Sequence, residues 1–75
     1  MRMMFWYMAQ HRHYETLWRG SFEEDERERM DRNMIATFSR GLGGLYFDHV
    51  VSRNSQDAFS NHVVKLITES RKDAS

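Results

Sequence analysis

Apolar positions recur three and four residues apart through most of the chain, the spacing that lines up side chains on one face of an α-helix. In the first stretch Met3 or Met4, Tyr7, Met8, Tyr14, Leu17 and Trp18 keep this spacing, with His11 on the same face. In the second it is kept by Phe22, Met30, Met34, Thr37 and Phe38, with Ile35 beside them. That stripe is thin at its start and thick at its end, which predicts deeper burial of its C-terminal half. The run LYFDHVV offers Phe47, Val50 and Val51, with Leu45 or Tyr46, to a core, and a last stretch places Phe59, Val63, Leu66 and Ile67 on one face. The pattern predicts four helices, near residues 2 to 18, 22 to 40, 45 to 53 and 56 to 71.

The breaks between these stretches carry turn and cap chemistry. Gly20 follows an apolar pair and an Arg, and suits a left-handed cap on the first helix. Ser21 and Glu24 form an S-x-x-E capping box for the second. In RGLGG, Gly41 stops the second helix, Leu42 can fold back over the turn, and Gly43 and Gly44 lead into the third. Asn54 or Ser55 is the expected N-cap of the fourth. LYFDHVV is β-branched and aromatic enough to be read as a strand, but no partner strand stands elsewhere. The expected architecture is therefore all-α: a small bundle of four helices with short antiparallel connections, one helical domain over residues 1 to 75.

One segment departs from the amphipathic pattern. Residues 3 to 9, MMFWYMA, are seven apolar residues in a row. At about 100° per residue they go round a helix nearly twice and leave it no polar face. A small bundle covers only one side of such a helix, and the uncovered side would be an apolar patch unusual for a soluble monomer. Met3, Met4, Phe5, Trp6, Tyr7 and Met8 are thus the candidate interface, through which the chain would pair with itself or with a protein partner. Burying each large side chain of this set contributes about 1.5 to 3 kcal/mol.

Two other readings of the run stand beside this one. The segment could lie on a membrane surface, where Trp6 and Tyr7 suit the water–lipid boundary, although Arg2, Arg12, His11 and His13 make only a weakly basic face. Alternatively the first helix is the central one, covered all round. A spanning helix needs roughly 20 apolar residues, so the expectation is a cytoplasmic protein with at most peripheral membrane contact. The start of the chain has a single Arg and lacks a small-residue cleavage site, which argues against a cleaved signal.

Composition narrows the function classes. With 75 residues there is room for one modest core. Acidic and basic residues number 11 each, so no net field draws in nucleic acid. The last two helices could imitate a helix-turn-helix, but the final one offers only Lys65, Arg71 and Lys72 near its end, with Asp57 where phosphate contacts are expected. Cysteine is absent, which removes disulfides, thiolate nucleophiles and thiolate metal sites. Proline is absent too, in keeping with helices joined by short turns.

Candidate chemistry is sparse. His11 and His13 point about 200° apart on a helix and cannot share an ion, and His49 and His62 lie on different helices, where Asp48 or Glu15 could join them only through tertiary folding. His11 and His62 are placed at the edge of the core. No serine sits in a G-x-S-x-G elbow. RGLGG is neither a dinucleotide fingerprint nor a P-loop, and is better read as a turn needing left-handed backbone. The cluster Glu23, Glu24, Asp25, Glu26 and Glu28 is interleaved with arginine and reads as a solvated face. The expectation is a non-enzymatic chain with no cofactor, no metal and no small-molecule substrate.

Tyr14, Gly20, Gly44, Phe47, Phe59 and Val63 form a pattern of their own. A Tyr-bearing helix ends at a Gly, an acid-rich helix follows, and then come a Gly with an aromatic three residues on and a Phe with a Val four residues on. Over residues 11 to 67 this resembles the soluble helical domain of a broad group of uncharacterised bacterial small proteins, often preceded by one or two transmembrane helices. The chain departs from that group in having only MMFWYMA at its start and in lacking a Pro before the second Gly. The resemblance implies the helical fold and no particular activity. It also implies that MMFWYMA is either the start of a longer packing helix or what stands where a membrane-proximal helix would be.

Overall fold

The computed structural model describes residues 2–20, 23–53 and 57–73, with side chains from Met4 onward. Four helices are formed: α1 (Arg2–Gly20), α2 (Glu24–Phe38), α3 (Gly41–Ser52) and α4 (Ala58–Asp73). There is no strand among the described residues, and LYFDHVV lies wholly within α3. The all-α bundle expected from apolar spacing is the fold of the chain.

The core is built where the spacing placed it. Met30, Met34 and Phe38 from α2, Tyr46, Phe47 and Val50 from α3, and Phe59, Val63 and Ile67 from α4 are all buried. The first half of α2 is exposed and its second half is buried, as its uneven stripe requires. Helices α2 and α3 form the centre of the bundle, since each of them touches the other three helices. By contrast α1 contributes no fully buried side chain: Met4, Tyr7, His11, Tyr14 and Trp18 are half-buried and lean on the core formed by the others.

Several local expectations are corrected. Gly20 is the last helical residue of α1, and the left-handed glycine is Gly41, at φ 55°. Helix α3 starts at Gly41, four residues before the expected position, because Gly43 and Gly44 sit in its first turn, buried against α2. A Cβ on Gly43 would run into the carbonyl of Thr37, so the absence of a side chain is what lets α3 cross so close to the end of α2. Leu42 does not fold back over the turn but is exposed, as are Leu45 and Val51, because α3 turns Tyr46, Phe47 and Val50 inward. Ser21 and Phe22, half of the expected capping box and the start of the α2 stripe, lie outside the described residues, and so do Asn54 and Ser55.

The cap of α4 is Asp57. Its Oδ1 accepts the backbone N–H of Ser60 at 2.9 Å, and its Oδ2 accepts the Ser60 hydroxyl at 3.0 Å. This is the N-cap geometry, a side-chain oxygen satisfying the N–H three residues on. The same bonds hold the Asp57 carboxyl below its ordinary pKa, the backbone N–H of Ser60 being the largest cause.

Candidate interaction surface

Helix α1 divides the apolar run between two faces. Its inward positions, Met4, Tyr7, His11, Tyr14 and Trp18, repeat at alternate steps of three and four, so they form one stripe along the whole helix. Aromatic contacts seat that stripe. Tyr7 stacks on Tyr46 at 5.8 Å and lies 6.1 Å from Phe38, Tyr14 meets Phe38 edge-on at 5.9 Å, and Trp18 lies 5.5 Å from Phe59. Tyr14 also hydrogen-bonds Thr37 at 3.2 Å; because the Thr37 hydroxyl donates to the Asn33 carbonyl, the tyrosine is the donor.

This seat narrows the candidate interface. Met4 and Tyr7 are committed to the core of their own chain, and the side chain of Met3 lies outside the described residues. Phe5, Trp6 and Met8 face outward, with 70%, 49% and 41% of their surface exposed. Leu17, about three turns beyond Trp6, is exposed at 45% and extends the apolar surface towards the end of α1. The first helix is therefore not the covered centre of the bundle, and the reading that hid MMFWYMA entirely within the fold is overturned by these exposures.

Clefts flank α1 on both sides. One, of about 340 Å³, lies against α3 and is lined by Met8, His11, Tyr46, His49, Val50 and Arg53. The other, of about 270 Å³, lies against α2, where Tyr14, Leu17 and Gly20 face Met30, Glu26 and Arg29. Both are formed because α1 is held by a row of aromatic contacts along one stripe only, with its shoulders left standing off the neighbouring helices.

The histidines are drawn into packing. His11 meets Phe59 edge-on at 5.0 Å and places Nε2 3.4 Å from the Ser60 hydroxyl, while its Nδ1 is buried with no partner among the described residues. Since the Ser60 proton goes to Asp57, Nε2 carries the donor proton and Nδ1 is the bare nitrogen. Burial pushes the His11 pKa below its usual value, against the opposing pull of Glu15 and Asp57. Ser60, His11 and Asp57 thus meet in space, but in the order of a helix cap: the serine proton is already given to the carboxylate and Ser60 is only 3% exposed. A nucleophile–base pair needs that proton on the imidazole side.

His62 pairs with Asp31 at 2.9 Å, tying α4 to α2, and stacks against Trp18 at 5.6 Å. Both His11 and His62 are half-buried at the edge of the core, as expected from their positions. The Asp31 partner was not legible, because nothing in the sequence links residues 31 positions apart. Among the described residues no three of His, Asp and Glu gather where an ion could be held, and no helix is long and apolar enough to cross a membrane. Asp57 was legible in principle, since Asp caps helices as well as Asn or Ser does.

Comparison with protein-family models, with curated proteins and with solved structures yields no match.

Proposed function

We propose that this chain is a non-enzymatic helical interaction module that associates with itself or with a protein partner through the outward face of α1. The observation that carries this reading is the exposure of Phe5 and Trp6, adjacent aromatic side chains on a helix whose opposite face is already seated. Large aromatic side chains are concentrated at the energetic centres of protein interfaces, where their burial supplies much of the binding energy. Leaving them in water on a chain this small forgoes that stabilisation with no gain to the fold.

Membrane attachment through the same residues is the second reading, and the neighbouring charges weigh against it. Glu26 lines the cleft beside Leu17, and Glu23, Glu24 and Asp25 precede it on the exposed start of α2. Arg27 and Arg29 are interleaved with these acids, so the surface beside Leu17 has no basic excess of the kind that draws a protein to an anionic bilayer.

Replacement of both aromatics, Phe5→Gln with Trp6→Gln, tests the reading. The expected product retains the helical circular dichroism of the parent and sediments as a monomer. An assembly mass unchanged by the double substitution contradicts the reading.

A further inference from the structure

The buried apolar side chains of the core all come from α2, α3 and α4, and they pack on one another without help from α1. Helix α1 lies over this core by one stripe of half-buried side chains, of which His11 is the central member and the only one whose charge changes near neutrality. We infer that α1 is a proton-released flap: a second proton on the His11 ring frees α1 from its seat while α2, α3 and α4 stay packed. The device works on the inward face of α1 and is independent of what covers the outward one.

The seat of His11 fits a neutral ring only. Its imidazole stands edge-on to Phe59 at 5.0 Å and to Tyr46 at 6.1 Å, so aromatic walls from α4 and α3 close on it. Nε2 donates to the Ser60 hydroxyl at 3.4 Å, and Nδ1 is buried with no partner among the described residues. A protonated ring would carry a charged N–H at Nδ1 with no acceptor, and a buried charge without a partner is far harder to hold than a bare neutral nitrogen. Turning the ring into water relieves this only by withdrawing it from between Phe59 and Tyr46, which is the middle of the α1 seat.

The neighbouring charges do not supply the missing acceptor. On α1 itself Glu15 stands one turn on, and on α4 Asp57 lies across Ser60, whose N–H and hydroxyl it already accepts. Both carboxylates favour a cation, yet burial outweighs them and holds the His11 pKa below its usual value. From α3, Tyr46, His49 and Arg53 share the cleft beside His11, and none of them brings an anion near neutrality. Helix α2 meets this part of α1 through Phe38, which touches Tyr7 and Tyr14 on either side of His11. His62 of α4, stacked on Trp18, differs in having Asp31 at 2.9 Å, an acceptor that serves the neutral and the charged ring alike.

Amide hydrogen exchange between pH 8 and pH 5, with the intrinsic pH dependence divided out, reads opening helix by helix. Protection at residues 8 to 18 should fall by up to about tenfold per pH unit, the slope for one proton taken up, while Met34, Phe47 and Val63 keep theirs. In His11→Phe, which keeps a ring between Tyr46 and Phe59, protection of α1 should no longer depend on pH over this range. His11→Gln, which keeps a donor for Ser60 and has no proton to gain, should behave the same way and guards against a variant that fails to fold by circular dichroism. All samples are held at one protein concentration, so any assembly enters each of them alike. Protection of α1 that is constant with pH overturns the inference, and so does an equal loss in all four helices, which is unfolding of the whole chain. A fall that persists in the folded variants overturns His11 as the trigger.

Discussion

At the scale of single residues, the fold depends on what is missing from Gly43 as much as on what is present in the core. Any side chain there meets the Thr37 carbonyl, a backbone atom that cannot swing aside, whereas a Cβ on Gly44 meets its nearest neighbour, the end of the Arg71 side chain, at an ordinary 3.5 Å. Gly43→Ala should therefore lower the melting temperature markedly, while Gly44→Ala, which gains helix propensity at little steric cost, should leave it nearly unchanged. Equal effects of the two substitutions in a thermal melt would show that α3 does not approach α2 in this way. The glycines illustrate how a sequence misleads locally. Three in four residues read as a turn, because glycine is a poor helix former, and only the packed structure shows that all three belong to α3 and that Gly43 is needed for its close approach to α2. Asp57 is masked in a similar way: its charge suggests a solvated surface residue, and only its bonds to Ser60 show it to be the cap of α4.

At the scale of elements, α1 differs from the rest. The stripes of α2, α3 and α4 close on one another, and their spacing made them legible in advance down to Met34, Phe47, Phe59 and Val63. In α1 the spacing placed Met4, Tyr7, His11, Tyr14 and Trp18 on the inward stripe, where Tyr46, Phe38 and Phe59 receive them, but it also put Met8 and Leu17 there, which are exposed because the apolar run gives no polar residue to mark the outer face. His11 is the polar member of that stripe, and its buried, bare Nδ1 makes the seat of α1 sensitive to acid. Because burial lowers its native pKa, the unfolded chain binds the proton more readily. Stability linked to His11 is complete above the ordinary value of 6.5 and is lost as pH falls from there to the lower native value. Thermal melts between pH 8 and pH 5 should show this loss, and His11→Phe, which keeps the ring between Tyr46 and Phe59, should remove the part of it that falls just below neutrality. An identical pH profile in the variant would place the sensitivity elsewhere, the Asp57 cap titrating only in stronger acid, below its ordinary 3.8.

At the scale of the whole molecule, a radius of gyration of 11.9 Å is close to the roughly 11 Å that compact chains of this length show. Three helices provide that compactness, and the fourth brings a surface to it. A 75-residue domain has about 4 to 11 kcal/mol of stability in total, so a layer of aromatic side chains placed outside the core is a substantial commitment. Phe5, Trp6 and Leu17 leave about half or more of their surface in water in the isolated fold, and the account rests on their being covered in an assembly. The most direct test is the absolute mass of the unaltered protein by light scattering after size exclusion, without detergent and over a hundredfold range of concentration. The account predicts a mass that reaches twice that of the 9.1 kDa chain and stays there as concentration rises. A mass of one chain at the highest concentration would contradict it.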